Sequence, residues 1–304
     1  MKNHILLGSL LTALLAFVLY IGGVHQQRTA QLTIVGQKQR VVKKGSTNTA
    51  NLPESHELRV ASGSTKALAQ PLGKKLETAG EPVQVYTRSL TDQQVRAQVA
   101  NTGRKAFPAT NVLRLYVLLA YYQARKDGRI KPNSVVQVKQ GDLVKGEQAL
   151  RAPMGYSYSY LLNLMMQQNN NSAANILWQK SKASMPKLVA KLGLQQTKLT
   201  GKFGSQKVGT VSADDLGRTL LKLYQGKVFD HQTDNQVLGA LQNYPDRKLT
   251  QSVTGTIYQI SDPYASVALV KTGTTSYIMS LTAGKQYAAV GEVGKLLADW
   301  YNNH

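Results

Sequence analysis

The sequence predicts a mixed α/β domain with helices on both sides of a sheet, and three observations carry that expectation. Residues 111–124 (NVLRLYVLLAYYQA) are apolar nearly all the way round, so a helix there has no face to offer water and needs protein on both flanks. Val83 and Val85, then Val95, Ala97 and Val99, alternate with the period of two of strands, and residues 266–271 and 275–282 read as a second pair. Helical patterns bracket these strands, with Ala67, Leu68, Leu72 and Leu76 ahead of Gly80 and residues 290–301 at the end.

Taken in order, residues 5–24 form a 20-residue run without a charge (ILLGSLLTALLAFVLYIGGV), long enough to cross a hydrocarbon layer of about 30 Å as a helix. A cleavable signal would show a shorter apolar stretch and a small-x-small site, and the Ile21-Gly22-Gly23-Val24-His25 junction offers a poor one. Residues 1–24 are therefore read as an uncleaved signal anchor. Residues 25–64 turn polar and basic and read as a tether, and residues 65–304 as the folded domain.

Within the domain, Lys126-Asp127-Gly128 stops the buried helix, and a loop containing Val136, Val138 and Val144 leads to a second helical run at 160–168. Ser212-Ala213-Asp214-Asp215 has the form of a capping box opening a helix with Leu216, Leu220, Leu223 and Tyr224 on one side.

Composition excludes several chemistries. The chain has 304 residues and no Cys, which removes disulfides, thiol catalysis and cysteine zinc sites, and its five His are scattered without metal-ligand spacing. No metal and no cofactor is expected. Lys and Arg number 37 against 16 Asp and Glu, a net charge of +21 that attracts polyanions and anionic surfaces in general without choosing among them.

Three phrases stand in a telling order: Phe107-Pro108-Ala109-Thr110-Asn111-x-x-Arg114, then Asn169-Asn170-Asn171-Ser172-Ala173-Ala174-Asn175, then Lys271-Thr272-Gly273-Thr274. A lone Lys-Thr-Gly carries little weight. With this order, spacing and flanks, including Leu192-Gly193-Leu194 and Thr197-Lys198-Leu199-Thr200, the chain resembles class A β-lactamases and penicillin-binding, transpeptidase-like serine hydrolases, whose sites are defined by Ser-x-x-Lys, Ser-Asp-Asn and Lys-Thr-Gly. The resemblance covers roughly residues 65–304 and implies a three-layer sandwich, an antiparallel sheet between helices, plus an all-α subdomain with the site at their junction. Because the chain after Lys-Thr-Gly is short for the family, the last sheet strand is expected to be reduced.

The resemblance also assigns roles, and the residues depart from them. Asn111 stands in the nucleophile's place, Arg114 in the base's and Asn169 in the proton relay's. An amide cannot acylate at physiological pH, and a guanidinium with a pKa above 12 cannot act as a neutral base. In the resemblance Asn171 keeps the amide that grips the substrate, and Lys271, Thr272 and Gly273, with Thr274, keep the ligand-binding groups, a cation, a hydroxyl and a backbone edge, that would hold a carboxylate. No Asp or Glu lies between Glu147 and Asp214, so the loop at 197–210 lacks the acid that would activate a deacylating water. Ser184-Met185-Pro186-Lys187 spells Ser-x-x-Lys, but it lacks the Phe-Pro-Ala flank and Pro186 is expected to disrupt the helix it needs.

The implied function is a membrane-anchored, extracytoplasmic, non-hydrolytic relative of these enzymes. Its expected partners are the membrane, through residues 5–24, and an anionic cell-wall polymer, a peptidoglycan fragment or a protein, with no nucleic acid. Two alternatives follow from the same residues: an active serine hydrolase with an atypical nucleophile, and a basic polyanion-binding envelope protein. Counted literally, Lys2 against Arg28, Lys38, Arg40, Lys43 and Lys44 would place the domain in the cytoplasm; the short N-terminal tail and the family resemblance argue for the outside.

Overall fold

A computed structural model describes residues 32–34, 57–131, 133–242, 244–285 and 287–304. The expected membrane helix at 5–24 lies outside the described residues, and among the described ones no helix is long and apolar enough to cross a membrane.

The centre is a seven-stranded antiparallel sheet. Its strands are β1 (Leu32–Ile34), β2 (Arg59–Ala61), β3 (Val83–Ser89), β4 (Arg96–Ala100), β10 (Thr256–Ser261), β11 (Ala265–Lys271) and β12 (Ser276–Ala283), in the order β1-β2-β4-β3-β12-β11-β10. The sheet thus reaches back beyond the Thr65 boundary, because β1 and β2 pair onto the edge at β4. In β11 the alternation is invisible as polarity because both faces are covered. Val267 and Leu269 enter one core, Ala268 and Val270 the other.

Helices α1 (Lys66–Glu77) and α8 (Val290–Asn303) cover one face, burying Leu68, Leu72, Leu76, Val293 and Leu297. The other face carries the larger core. There α2 (Arg114–Lys126) is sheathed by α3 (Tyr158–Gln167), α4 (Asn171–Ser181), α5 (Met185–Leu192), α6 (Ala213–Tyr224) and α7 (His231–Leu241). Residues Leu115 to Tyr121 are all buried, which is what a helix apolar on every side requires. The mixed α/β fold matches the expectation.

Several expectations are corrected. β12, with eight residues, is the longest described strand and is not reduced. The stretch read as a loop at Val136 and Val138 is a strand, β6 (Val135–Val138), paired with β7 (Met154–Ser157), with alternate residues buried. Pro186 does not break a helix; it sits in the first turn of α5, where its missing N–H costs nothing. The box at Ser212 is half formed. The Ser212 side chain accepts from Asp215 N–H, but the Asp215 carboxylate turns away to accept from the backbone N–H groups of Gln195, Gln196 and Thr197 and from the Thr197 hydroxyl.

Candidate functional site

Short strand β5 (Phe107–Ala109) pairs with β9 (Gly209–Val211), which also pairs with β8 (Lys198–Leu199); this ribbon delivers the chain to α2. The entry is a 3-10 turn, Asn111–Leu113, and regular α-helix begins only at Arg114. Asn111 is half-buried at this turn. Arg114, one turn on, points inward and is fully buried.

The guanidinium is spent on the second phrase. Arg114 Nη1 donates to Asn169 Oδ1 at 2.6 Å and to Met165 O at 3.3 Å; Nη2 donates to Asn169 O at 2.8 Å and Asn171 Oδ1 at 2.7 Å. Its Nε has no partner among the described residues, and its charge lies 5.5 Å from the centre of the Phe203 ring. Burial lowers the Arg114 pKa, opposed by the neighbouring Tyr244 and Glu147, but a guanidinium stays charged at physiological pH. The arrangement is a buried cation held by neutral acceptors, a clamp in which no group can take a proton.

Asn169 has a backbone reason to be asparagine. It lies just past the end of α3 with φ of 51°, in the left-handed region that Asn tolerates better than most residues. Asn170 N–H donates back to Leu164 O at 3.1 Å, closing the helix end. Asn170 then caps α4, its side chain accepting from Ala173 N–H at 2.8 Å. Glu147 adds a charge at the same helix start, accepting from Asn171 N–H at 2.7 Å, Ser172 N–H at 2.8 Å and the Ser172 hydroxyl at 2.6 Å.

A further carboxylate lies on the other side of the 3-10 turn. Asp262, at the end of β10, accepts from Thr110 N–H at 2.7 Å and Val112 N–H at 3.1 Å through one oxygen, and from Tyr264 and Ala265 N–H at 2.8 and 2.9 Å through the other. Burial pushes its pKa up and the four N–H donors oppose that shift. Backbone N–H groups at a helix start are the natural place to bind a developing oxyanion. Here the protein's own carboxylate occupies them.

Of the expected site residues, the structure brings together Arg114, Asn169 and Asn171, with Asn111 one turn ahead of Arg114. It does not bring Lys271, Thr272, Gly273 or Thr274 to them. β11 starts beside Asp262 and runs away from it, and its six further residues at about 3.3 Å each put Lys271 roughly 20 Å off. There Lys271 lies 5.7 Å from the Tyr224 ring, and Thr272 closes a tight turn, its hydroxyl donating to Thr275 O and accepting from Thr275 N–H. The strand end that does reach the site is Ser261-Asp262-Pro263. Moreover, β10 pairs along β11 as far as Lys271, so the strand edge expected to grip a ligand is occupied.

The sequence reading missed Asp262, Tyr244 and Phe203. Tyr244 donates its hydroxyl to Asn169 Oδ1 at 2.6 Å, and burial raises its pKa, so it acts as a neutral donor. Phe203 is anchored by a two-way bond, its N–H donating to Asn175 Oδ1 and its carbonyl accepting from Asn175 Nδ2. A signal was present for Phe203, one of four Phe in the chain, between Gly201 and Gly204 in a polar loop. For Asp262 the cue was an Asp-Pro turn ahead of an apolar run.

The model of the beta-lactamase enzyme family matches residues 66–300. Among solved structures, the chain is similar to PBP-A (TM-score 0.71, 16% identity, covering 79% of this chain and 98% of that one). It is also similar to the TLA-1 extended-spectrum β-lactamase (0.67, 13%, 78% and 99%) and to a β-lactamase from Sphaerobacter thermophilus (0.65, 14%, 76% and 95%). No curated protein sequence matches. At these identities the solved structures share the fold alone, while the family model spans nearly the whole described domain: the chain belongs to the β-lactamase enzyme family.

Proposed function

We propose that this chain is a non-hydrolytic member of its family, held at the membrane by residues 5–24 with its domain outside the cytoplasm, where it binds an envelope component or a partner protein. The observation that carries the loss of hydrolysis is the clamp at Arg114. A nucleophile needs an adjacent group able to accept its proton. The cation one turn after Asn111 is instead a fully buried guanidinium with its N–H groups aimed at Asn169, Asn171 and Met165. The Asp262 carboxyl group on Thr110 and Val112 N–H supports the same reading, since those donors are already engaged and would not be free for an incoming acyl oxygen.

Neither Ser172 nor Ser184 offers a substitute. Ser172 meets the Glu147 carboxylate at 2.6 Å, but its side chain is fully buried and the pair is committed to the start of α4. Ser184, in the other Ser-x-x-Lys spelling, is fully buried and accepts from Arg129, while Lys187 is paired with Asp127 at 2.6 Å.

The test is a fluorescent-penicillin labelling gel on the full chain, beside an Asn111→Ser, Arg114→Lys double variant. Neither protein is expected to carry label. A covalent band on the parent chain would overturn the proposal. A band confined to the double variant would show that two positions alone withhold the chemistry, and would refute the role given to Asp262.

A further inference from the structure

A second feature lies away from this site, on the sheet face beside α6. Gly217 lets that helix lie directly on the sheet: a Cβ there would fall 2.1 Å from Tyr86 Cδ1. Beyond this contact a cleft of about 750 Å³ opens between α6, the end of α5 and strands β3 and β4. Arg88 and Arg96 line it from the strands, Arg218 and Lys222 from α6, and Lys227 from just past the helix end, against one carboxylate, Asp214.

The placing of these cations runs against local preference twice. Arg88 and Arg96 are directly opposed across the β3–β4 ladder, where like charges destabilise. Arg218 and Lys222 are four apart on one helix, where like charges again repel. Both pairs face one cavity. Among the described residues only Arg218 of the five meets a carboxylate, Asp214 at 2.7 Å. Arg88, Arg96 and Lys222 donate to the backbone carbonyls of Gln93, Gly63 and Lys191, which hold their positions without neutralising them. Burial together with the charges of Arg218 and Lys227 lowers the pKa of Lys222.

We propose that this cleft binds an extended, phosphate-bearing polyanion, with successive phosphates bridging the Arg88–Arg96 and Arg218–Lys222 pairs. Phosphate suits the walls better than carboxylate. Its oxygens point in several directions and can meet cations on two opposing walls, and Arg presents a planar fork to such oxygens. The number of cations and the size of the cleft call for more than one phosphate. The hydroxyl of Ser62 and the amides of Gln98 and Gln225 add uncharged hydrogen-bonding groups to the lining. The proposal is independent of the loss of hydrolysis, since a chain that reacted with penicillin would still carry the cleft.

The test is fluorescence anisotropy on the full chain with labelled linear inorganic polyphosphate, followed over a range of salt. An Arg88→Gln, Arg96→Gln, Lys222→Gln variant is compared with a Lys139→Gln, Lys145→Gln, Arg151→Gln variant of equal net charge, altered at exposed positions outside the cleft. The cleft variant is expected to bind about tenfold more weakly and to lose about one unit of salt slope per removed contact. The control variant should stay within about threefold. Equal losses in the two variants, or failure of the parent to bind either polyphosphate or poly(glycerol phosphate), would overturn the proposal. Parent binding to polyglutamate as tight as to both phosphate polymers would also overturn it. Whichever phosphate polymer binds the parent more tightly identifies the source of the ligand.

Discussion

Replacing Arg114 with Ala is the most direct probe of the clamp. The change removes donors from Met165 O, Asn169 O, Asn169 Oδ1 and Asn171 Oδ1, and leaves a void against Phe203. Hydrogen bonds to a charged group contribute about 1.5–3 kcal/mol each, but burying the guanidinium costs several kcal/mol, so the four bonds do not sum freely. Asn169 Oδ1 keeps Tyr244 as a donor, which limits the loss further. The expected net destabilisation is about 3–5 kcal/mol, a large share of an ordinary domain's stability. In urea this appears as a midpoint lower by about 1–2 M at unchanged slope. Arg114→Lys keeps the charge without the fork and should lose about half as much. A midpoint within about 0.3 M of the parent for Arg114→Ala would refute the clamp, because the acceptors would then be satisfied by water. A midpoint for Arg114→Lys equal to that of the parent would refute the argument from the fork.

Other expectations follow from single contacts. Asp262→Ala strands the N–H groups of Thr110, Val112, Tyr264 and Ala265 and should cost about 2–4 kcal/mol by thermal or urea denaturation. Asp127 pairs with Lys187 and Arg129, and those bonds hold its carboxyl down to about 2. A depressed carboxylate pKa means stability present above the unfolded value, near pH 4, and lost as pH falls towards 2. The acid limb of the stability curve should therefore flatten in Asp127→Asn, and salt should weaken the effect because the partners are exposed. Gly217→Ala would ordinarily gain about 1 kcal/mol within a helix, but contact with Tyr86 reverses the sign, and a net loss of about 1–3 kcal/mol is expected in urea.

The β-lactamase family fold was legible because its signals are local or repeat along the chain. Apolarity on every side of residues 111–124 reported a doubly covered helix, and alternation at Val83, Val85, Val95, Ala97 and Val99 reported a hairpin. Strand β10 was not legible, because Gln259 and Ser261 are buried polar residues that break its apolar pattern; Gln259 is satisfied by Tyr244 O and Thr250, contacts that exist only after folding. That omission misplaced the third phrase. With β10 unseen, Lys271-Thr272-Gly273 took its position in the reading, and the tight turn it makes at the far end of β11 could not be anticipated.

At the site, chemical identity alone determined that Asn111 cannot acylate and that Arg114 cannot serve as a neutral base, since those limits belong to the amide and the guanidinium wherever they sit. Tertiary structure decided what these groups do instead. Asp262, 151 positions after Asn111 in the numbering, meets the backbone on either side of it, and Tyr244 meets Asn169 across 75 positions. The same holds for the two like-charge pairs that line one cleft beside α6. A residue's protonation chemistry is intrinsic, whereas its hydrogen-bond partners and the sign of the field around it are set by which distant strands and helices the core brings together.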